Sequence, residues 1–482
     1  MNILLVLRML SAILLIESAS MIPAIAVAMV HGDGDVLPLV FSALIILAVS
    51  IPAYFFIRPK DRNLRVREGF VVVALAWILM SAFGALPYVF SGFLPHFYDA
   101  FFESVSGFTT TGATVVSNFG YMPHGIAFWR SFTHWVGGMG VLVLTLALLP
   151  KLSDHTSHLV RAESPGPSLS KIVPKMGESA KILYMMYLVL TVAEFICLIV
   201  AGMNPYDAAI HAMGTAGTGG FSNYGNSIAH FHSVAVEAVM TTFMILFGIN
   251  FAIYYFLLTR SWKDIRMNEE LRWYLGIVFA SIFLLTIFLL PYYGSLKESL
   301  RYASFQTASI ISTSGFATAD FDLWPVQAKM LLLLLTFIGS CAGSTAGGMK
   351  VIRVVILAKQ GKREIRRTFQ PRKVQTIRFD GKAVDEVMLH SIAVFGFAYI
   401  FLVLAGAFMI SLDGKYDLIT NFTASLTCIS NVGPGFGAVG PAGGFSGYGP
   451  FAKVIASFLM LAGRLELYPM LVLLHPKVWS RT

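Results

Sequence analysis

Four short runs of small residues are the parts of this sequence best suited to coordinating an ion. Each run holds a glycine beside threonine, serine or valine, and we name the runs loops 1 to 4: Thr109–Thr114, Ala216–Ser222, Ser312–Thr318 and Ser430–Gly435. Backbone carbonyl oxygens from several segments can form rings that replace the hydration shell of a cation. Glycine suits this chemistry because it adopts backbone angles closed to other residues and lets carbonyls point inward.

The four loops recur at a regular spacing along the chain. Taking Gly112, Gly219, Gly315 and Gly433 as equivalent gives intervals of 107, 96 and 118 residues. Self-similarity at one period, found four times, predicts four copies of one structural unit. The alternative is that the glycines only let helices pack closely, as small residues do in membrane bundles. The context that all four loops share favours an ion site.

The same kinds of element flank each loop. A short amphipathic stretch of about 12 residues, which is too short to span a bilayer, precedes it, and a full-length apolar helix follows. The C-terminal ends of the short helices would present partial negative charge to a cation. Irregular backbone at membrane depth is tolerated where it lines a watery cavity. The predicted short helices are Phe97–Phe108, Pro205–Ala216, Leu300–Ser312 and Asp417–Ile429.

The composition places these segments in a membrane. Apolar residues make up 56% of the 482 residues and charged residues only 13%, which is about half the charged share of a soluble domain. Apolar runs at residues 1–30 and 36–57 precede the first repeat. A signal peptide is the alternative for the first run, but it is too long and a second run follows. Both are therefore predicted to be retained helices.

These observations predict the fold class. We expect an all-α integral membrane protein in which four pseudo-symmetric helix–pore-loop–helix repeats surround one pore and follow two extra transmembrane helices. The third repeat includes a gating loop and a basic cytoplasmic link. The predicted boundaries are 1–68 for the N-terminal helix pair and 69–160, 161–272, 273–382 and 383–482 for the four repeats.

Clusters of lysine and arginine predict the orientation. They occur at Arg58–Arg67, Lys151–Lys181, Arg260–Arg272 and Lys350–Lys382, and they alternate with links that are poor in basic residues. The positive-inside rule then places the clusters and both termini in the cytoplasm. Nucleic-acid binding is the competing interpretation of the basic run Arg363–Arg367. No nucleic-acid partner is predicted, because that run lies between two membrane segments.

A glycine-rich run interrupts the second helix predicted for repeat three. Four of the ten residues from 339 to 348 are glycine, and each glycine costs about 1 kcal/mol relative to alanine inside a helix. A close-packed helix of small residues is the alternative. We expect a flexible loop below the ion site that obstructs the pore. Its predicted gating residues are Gly343, Ser344, Thr345, Gly347 and Gly348.

Arg464 is a charged residue inside the last predicted helix. It lies about 14 residues into that helix, or roughly 21 Å along it. An arginine at membrane depth is costly and usually faces a polar interior or cavity. We predict that Arg464 faces the pore, opposes cation permeation and takes part in gating. The alternative is a salt bridge, for which Glu466 is poorly placed because residues two apart on a helix do not face each other.

Several segments beyond the loops carry a resemblance to a known superfamily. The chain resembles the Trk, Ktr and plant HKT potassium transporters over nearly its whole length, and its extra N-terminal helix pair makes it most similar to the bacterial TrkH branch. The resemblance also favours a loop over a helix at residues 339–348. The segments that carry it, besides the four loops, are Trp135–Gly140, Gly248–Phe251, Ala342–Lys350 and Ala462–Glu466.

The resemblance implies potassium uptake across the bacterial inner membrane by a multi-pass protein that carries no cofactor. Potassium is then the substrate. It also implies a homodimer with one pore per subunit, surrounded by membrane lipid, and a cytosolic TrkA-like regulatory ring that binds nucleotides. The potassium-coordinating carbonyls that it implies are those of Thr111, Gly112, Thr218, Gly219, Ser314, Gly315, Val432 and Gly433.

Two features of the loops bear on selectivity. Sodium-selective plant relatives often have serine at the first filter glycine, whereas this chain has Gly112, which favours potassium. Loop 4 departs from the Thr/Ser-Gly pattern with Asn431, Val432, Gly433 and Pro434. The pore is therefore predicted to lack four-fold symmetry.

Two other functions remain as alternatives to a channel-like pore. A potassium–proton or potassium–sodium symporter would need Glu103, Glu194 or Glu237 as a proton relay, and no inverted repeat is evident. Glu103 would otherwise attract cations or brace the ion site. An enzyme is disfavoured because the sequence shows no metal-ligand spacing, no paired carboxylates in a shared loop and no nucleotide-binding glycine motif.

Overall fold

The computed structural model describes residues 2–59, 66–140, 176–373 and 375–476 of the chain. These residues are mostly helical. The one strand pair among them joins Arg378–Phe379 to Lys382–Ala383 in antiparallel register. The predicted all-α class is confirmed for this part of the chain.

The helices of the N-terminal half end at Leu258, within the second predicted repeat. In chain order they are α1 (Ile3–Ser20), α2 (Ile22–His31), α3 (Val36–Phe56), α4 (Val66–Gly84), α5 (Leu86–Phe90), α6 (Phe97–Phe108), α7 (His124–Gly138), α8 (Met176–Val200), α9 (Pro205–Gly217), α10 (Val234–Phe247) and α11 (Phe251–Leu258).

The helices of the C-terminal half follow a short connection. They are α12 (Trp262–Met267), α13 (Glu269–Tyr293), α14 (Leu296–Ile311), α15 (Val326–Ile338), α16 (Val351–Phe369), α17 (Glu386–Ser411), α18 (Leu418–Ser430), α19 (Pro450–Arg464) and α20 (Tyr468–Leu473). A 3-10 turn follows each of the four loops, at Phe119–Tyr121, Ser227–Phe231, Phe321–Leu323 and Gly437–Val439.

Six helical segments of the described chain are long and apolar enough to cross a membrane. Since a span needs roughly 20 apolar residues, these segments confirm the prediction of an integral membrane protein. The two predicted N-terminal helices are among them, the first as α1 and α2 together. The segments are Ile3–His31, Val36–Phe56, Arg67–Phe90, Ala180–Val200, Glu269–Tyr293 and Glu386–Ser411.

Unlike a soluble protein, this structure exposes many apolar side chains and buries many polar ones. In the most apolar stretches of Val36–Phe56 and Ala180–Val200, only 28% of the residues are buried, so large apolar side chains face outward. The short helices instead bury hydroxyl residues such as Ser104, Thr215 and Ser309, which are fully enclosed. The polar centre of the molecule therefore lies around the short helices.

The four short helices lie close to where the sequence predicted them. Helices α6, α9 and α18 agree with the prediction within one residue at each end. Helix α14 begins four residues earlier than predicted, at Leu296. The cause is Gly294, whose left-handed conformation (φ +68°) ends α13 and lets the next helix start at once.

The prediction of a full-length helix after each loop is wrong for the described residues. The helices that follow the loops, α7, α10, α15 and α19, have 15, 14, 13 and 15 residues. The chain bends by 91° between α10 and α11. It leaves α15 at Gly339, and it turns after α19 through left-handed Glu466 and Leu467. The breaks after α10 and α15 bond to each other, since the Cys341 N–H donates to the Gly248 carbonyl. The chain beyond α7 lies outside the described residues from 141.

Candidate functional site

The four short helices end in the same local structure. The residue that follows each helix, or comes one position later, has a left-handed backbone: Thr110 (φ +56°), Thr218 (+57°), Thr313 (+59°) and Asn431 (+54°). The next N–H then donates to the carbonyl five residues back, which is the helix termination known as the Schellman motif. These bonds run from Thr111 to Ser106 (2.9 Å), from Gly219 to Gly214 (2.8 Å), from Ser314 to Ser309 (2.9 Å) and from Val432 to Thr427 (3.0 Å).

The repeated left-handed threonines are strained. A β-branched residue at positive φ is an outlier that the surrounding structure must stabilise. A strained backbone persists only where surrounding contacts stabilise it, and such residues cluster at functional sites. Its recurrence at the same position of three loops, with asparagine in the fourth, marks these loops as a candidate site.

The conformations of the glycines correct the predicted register of loop 2. Two residues after each left-handed position comes a left-handed glycine: Gly112 (φ +80°), Gly220 (+76°), Gly315 (+75°) and Gly433 (+93°). Gly220, and not Gly219, is therefore equivalent to the other three. Loop 2 contains two consecutive glycines, and helix α9 ends one residue later than predicted, so the Thr–Gly pair could not fix the register.

These four glycines connect the loops into a closed circuit. A Cβ atom at Gly112 would lie within 3 Å of the Gly219 carbonyl oxygen, closer than real Cβ atoms approach other atoms. A Cβ atom on the glycine of loop 2 would likewise lie this close to a carbonyl oxygen of loop 3, one in loop 3 to a carbonyl of loop 4, and one in loop 4 to a carbonyl of loop 1. The remaining pairs are Gly220 with Ser314 O, Gly315 with Val432 O, and Gly433 with Thr111 O. Each loop thus places a carbonyl against the glycine of its neighbour.

A buried ion pair holds loop 1 against loop 2. The Glu103 carboxylate on α6 accepts hydrogen bonds from Arg130 Nε (2.6 Å), Thr114 Oγ1 (2.8 Å) and the Val115 N–H (2.9 Å). Arg130 on α7 also donates to the Ser222 carbonyl (2.9 Å). Glu103 therefore braces the loops, as one of its two predicted roles required. Arg130 was not among the predicted site residues, although a charge inside an apolar helix was a usable signal.

Loop 4 is joined to loop 1 through Asn431. Its side-chain amide donates to Thr111 Oγ1 (3.0 Å) and to the Met460 carbonyl (2.9 Å). Asparagine tolerates the left-handed conformation better than threonine does. The departure of loop 4 from the Thr/Ser-Gly pattern thus provides a contact that the other three loops do not make.

The outer side of the circuit opens into a small cavity of about 80 Å³. Residues from all four loops, including Phe221 of loop 2, line it together with Arg130. Because the Arg130 guanidinium lies 3.4 Å from the centre of the Phe221 ring and pairs with Glu103, its charge is neutralised. Glycines and aromatic side chains make up much of the rest of the lining.

The segment 339–350 lies on the other side of the loops. It connects α15 to α16 without helix, which confirms the predicted interruption. Its Gly347 N–H donates to Thr313 Oγ1 of loop 3 (2.8 Å), and its Ser340 hydroxyl donates to the Ile311 carbonyl (2.7 Å). These contacts place the segment directly against the loops.

The bend between α10 and α11 holds the same segment from the side. The Cys341 N–H donates to the Gly248 carbonyl (3.1 Å), and the Phe251 N–H donates to the Gly343 carbonyl (3.0 Å). The breaks in two neighbouring helices thus supply backbone partners to each other.

Arg464 connects the segment to α7. Its guanidinium donates to the carbonyls of Thr345 (2.7 Å), Gly137 and Gly138 (2.6 Å). Arg464 lines a cavity of about 100 Å³ with the predicted gating residues Gly343, Ser344, Gly347 and Gly348, whereas Thr345 contributes the carbonyl bond. Glu466 pairs with Arg353, so the argument against Glu466 as the partner of Arg464 agrees with the structure.

Comparison with known proteins gives one consistent result. The family described as TrkH, cation transport protein, matches residues 39–481. The "Trk system potassium uptake protein TrkH" of Escherichia coli (strain K12) is 37% identical over 478 residues, 98% of each chain. The protein of the same name from Halomonas elongata is 35% identical over 497 residues and covers 100% of both chains. The crystal structure of the potassium transporter TrkH from Vibrio parahaemolyticus matches with a TM-score of 0.89 and 33% identity, covering 100% of both chains.

Proposed function

The chain belongs to the TrkH family of cation transport proteins, and on that premise we propose that it carries potassium into the cell through rings of backbone carbonyls. The family is one of transport proteins and not of enzymes, as the sequence predicted. We propose potassium as the substrate because the similar proteins from three bacteria are named for potassium transport. The protein needs no cofactor for this task.

One observation supports this function more than any other: the closed circuit of glycine-to-carbonyl contacts through loops 1 to 4. Carbonyls that follow one another around a centre can replace the water around a potassium ion. The short helices end at the same place and add the negative ends of their dipoles. We propose ion coordination by the carbonyls of Thr111, Gly112, Thr218, Ser314, Gly315, Val432 and Gly433, and in loop 2 also by Gly219 and Gly220.

The architecture that we propose around this filter is four helix–pore-loop–helix repeats after an N-terminal helix pair. The matching helix ends, left-handed residues and 3-10 turns of the four loops support it. The proposed boundaries stay at 1–68, 69–160, 161–272, 273–382 and 383–482. Each repeat then contributes one quarter of the coordinating ring.

We propose that the segment 339–350 is the gate. It lies against loops 3 and 4 with the backbone of Gly347, and the Arg464 guanidinium binds its Thr345 carbonyl. In this position it closes the path below the filter, and the positive charge of Arg464 opposes the passage of a cation. Opening requires the segment to leave its contacts.

The protein is an integral membrane protein, and we propose the bacterial inner membrane with both termini in the cytoplasm. Met1 and residues 477–482 lie outside the described residues, as does most of the Lys151–Lys181 cluster, so the orientation rests on the charge pattern. The similar proteins are named as parts of a Trk system. We propose a homodimer in membrane lipid, controlled by a cytosolic TrkA-like ring that binds nucleotides.

Ion-coupled symport is the competing proposal, and it needs a carboxylate that can relay protons. The structure bears on which of the three candidates, Glu103, Glu194 and Glu237, could do so. Glu103 is paired with Arg130, and Glu237 is paired with Arg301 through two bonds of 2.6 Å. Glu194 is fully buried on α8 and lies in no ion pair among the described residues. Of the three predicted relay residues, Glu194 is therefore the one that remains available to carry protons.

Reversal potentials of the protein in liposomes test the proposal. Passive potassium conduction predicts a reversal potential that follows the potassium gradient, does not shift with pH, and shifts with sodium only as far as the potassium-to-sodium permeability ratio allows. A shift with pH, or a larger shift with sodium, at fixed potassium would contradict it and favour symport. Failure to conduct potassium at all, with or without the cytosolic partner, would contradict both.

A further inference from the structure

Glu270 is a buried carboxylate that the proposed pathway does not use. It is the second residue of α13 and is only 3% exposed. Its Oε1 atom accepts a hydrogen bond from the Ala342 N–H (2.7 Å) and a longer one from the Ile352 N–H (3.3 Å). Ala342 lies near the start of the segment 339–350, and Ile352 lies just past its end. One oxygen atom therefore holds both ends of the segment.

The bond from the Ile352 N–H means that the Glu270 carboxylate also caps the N-terminus of helix α16. Ile352 is in the first turn of α16, where backbone N–H groups have no partner within the helix. Lys350, which precedes the helix, has a left-handed backbone (φ +78°) and supplies no side-chain cap. Because a negative charge is favourable at a helix N-terminus, Glu270 caps α16 from the neighbouring helix α13.

Helix α16 leads away from the proposed gate toward the basic surface. Its first turns are buried, including Ile352 and Val355, whereas Lys362, Arg366 and Arg367 are exposed. A protein that binds this surface can pull on α16 without touching the ion path. A movement of α16 that reaches its first turn would lengthen the Ile352 bond, and the acceptor of that bond also holds Ala342.

We infer that Glu270 is a positioning residue that couples the position of helix α16 to the position of the segment 339–350, because its Oε1 atom accepts a hydrogen bond from each. In the described state the carboxylate keeps both in position. When α16 moves, Glu270 cannot retain both N–H groups, and a carboxylate that follows α16 releases Ala342. This inference rests on the proposed gate for its effect on transport, but the coupling itself is a structural statement.

A native thiol reports the position of the segment directly. Cys341 precedes Ala342 and is 1% exposed, so a water-soluble maleimide reaches it only when the segment moves. Cys197 and Cys428 are replaced by alanine, which leaves Cys341 as the single cysteine of the chain. The labelling rate and the potassium flux into liposomes are then measured on the same preparation.

Glu270→Ala and Glu270→Gln are the test variants, and Glu269→Gln is the matched control. Glu269 is the adjacent residue, and it binds Lys359 of α16 without touching the segment. A lost hydrogen bond to a charged group shifts an equilibrium on the order of tenfold. We expect Cys341 labelling and basal flux to rise on that order in Glu270→Ala, to rise less in Glu270→Gln, and to stay unchanged in Glu269→Gln.

The outcomes separate the coupling from the gate. Equal labelling in the Glu270 variants and the parent, with normal thermal unfolding, overturns the inference. So does an equal rise in Glu269→Gln, because any loosening of α16 from α13 would then suffice. Faster labelling with unchanged flux supports the coupling but contradicts the gate of the proposed function. If Glu270→Ala does not fold, Glu270→Gln, which retains an acceptor oxygen, carries the test alone.

Discussion

Single residues hold the four loops in place, and they do so in different ways. Loop 1 depends on the Glu103–Arg130 ion pair, whereas loop 4 depends on the Asn431 amide. In loop 3 the Ser309 hydroxyl donates to the Phe316 carbonyl at 2.6 Å. The backbone conformations repeat, but the side chains that stabilise them do not. Substitutions at these supports should therefore have unequal effects.

The Glu103–Arg130 pair should be the most sensitive of these supports. Removing one partner of a fully buried pair leaves the other charge without compensation and costs about 3–5 kcal/mol. We expect Arg130→Ala to lower the free energy of unfolding by that amount. Arg301→Ala is the matched control, because its pair with Glu237 is partly exposed, at 28% on the arginine side and 5% on the glutamate side, and partly exposed pairs contribute less than fully buried ones. Equal losses in thermal unfolding for the two variants would show that the loops do not depend on Arg130.

Two substitutions at Arg464 separate the effect of its positive charge on basal flux from the effect of its hydrogen bonds. Arg464→Ala removes the bonds to Thr345, Gly137 and Gly138 together with the positive charge. We expect basal cation flux to rise about tenfold, since one bond to a charged group accounts for that much. Arg464→Lys keeps the charge but cannot bridge three carbonyls, so its flux should lie between those of Arg464→Ala and the parent.

Arg367→Ala is the control for Arg464, because Arg367 is exposed on α16 and lies outside the proposed pathway. Flux and thermal unfolding are measured on the same preparations. An Arg464→Ala protein that unfolds early and conducts no faster than the parent would assign this arginine a structural role only.

Secondary structure was predictable where it depends on local sequence. Three of the four short helices were located within one residue at each end, because residues such as Pro205, Asp417 and the glycines of the loops mark their ends. The breaks at Gly248 and Arg464 were not recognised as ends of helices. They depend on partners far away in sequence, such as the bond from Cys341 to Gly248, and no local pattern encodes such a partner.

The proposed gate makes a prediction at the scale of the element. Deleting residues 343–347 removes the Thr345 and Gly347 contacts while α15 and α16 keep their own hydrogen bonds. We expect higher basal flux without the cytosolic partner and little further increase when the partner is added. The size of the purified protein and its thermal unfolding serve as controls. A folded deletion variant that conducts no faster than the parent contradicts the gate.

At the scale of the whole molecule, the four loops form one closed circuit of glycine-to-carbonyl contacts. The alignment by threonine–glycine pairs gave three of the four equivalent glycines and missed Gly220, because Gly219 precedes it and satisfied the same pattern. Only the neighbouring loop distinguishes the two: a Cβ at Gly220 meets the Ser314 carbonyl, whereas one at Gly219 meets the His134 ring. Which residue faces the centre was therefore not encoded in the local sequence.

A substitution at Glu194 distinguishes a passive channel from a proton-coupled symporter. If transport is passive, Glu194→Gln keeps the shape and polarity of the buried side chain, so potassium flux and its independence of pH should not change. A variant that loses pH-dependent flux while folding normally would support a proton relay instead. The comparison uses reconstituted parent and variant with a pH step on one side.

The most direct test of the account is the potassium-to-sodium permeability ratio of variants in the four equivalent glycines. Gly112→Ser, Gly220→Ala, Gly315→Ala and Gly433→Ala each add a side chain against the next loop's carbonyl at a positive φ. Gly276→Ala on α13 is the control, because a Cβ there meets nothing within 4 Å. The account predicts that every one of the four variants lowers the ratio and that the control does not. Folded variants that retain the parent's ratio would contradict the proposed filter.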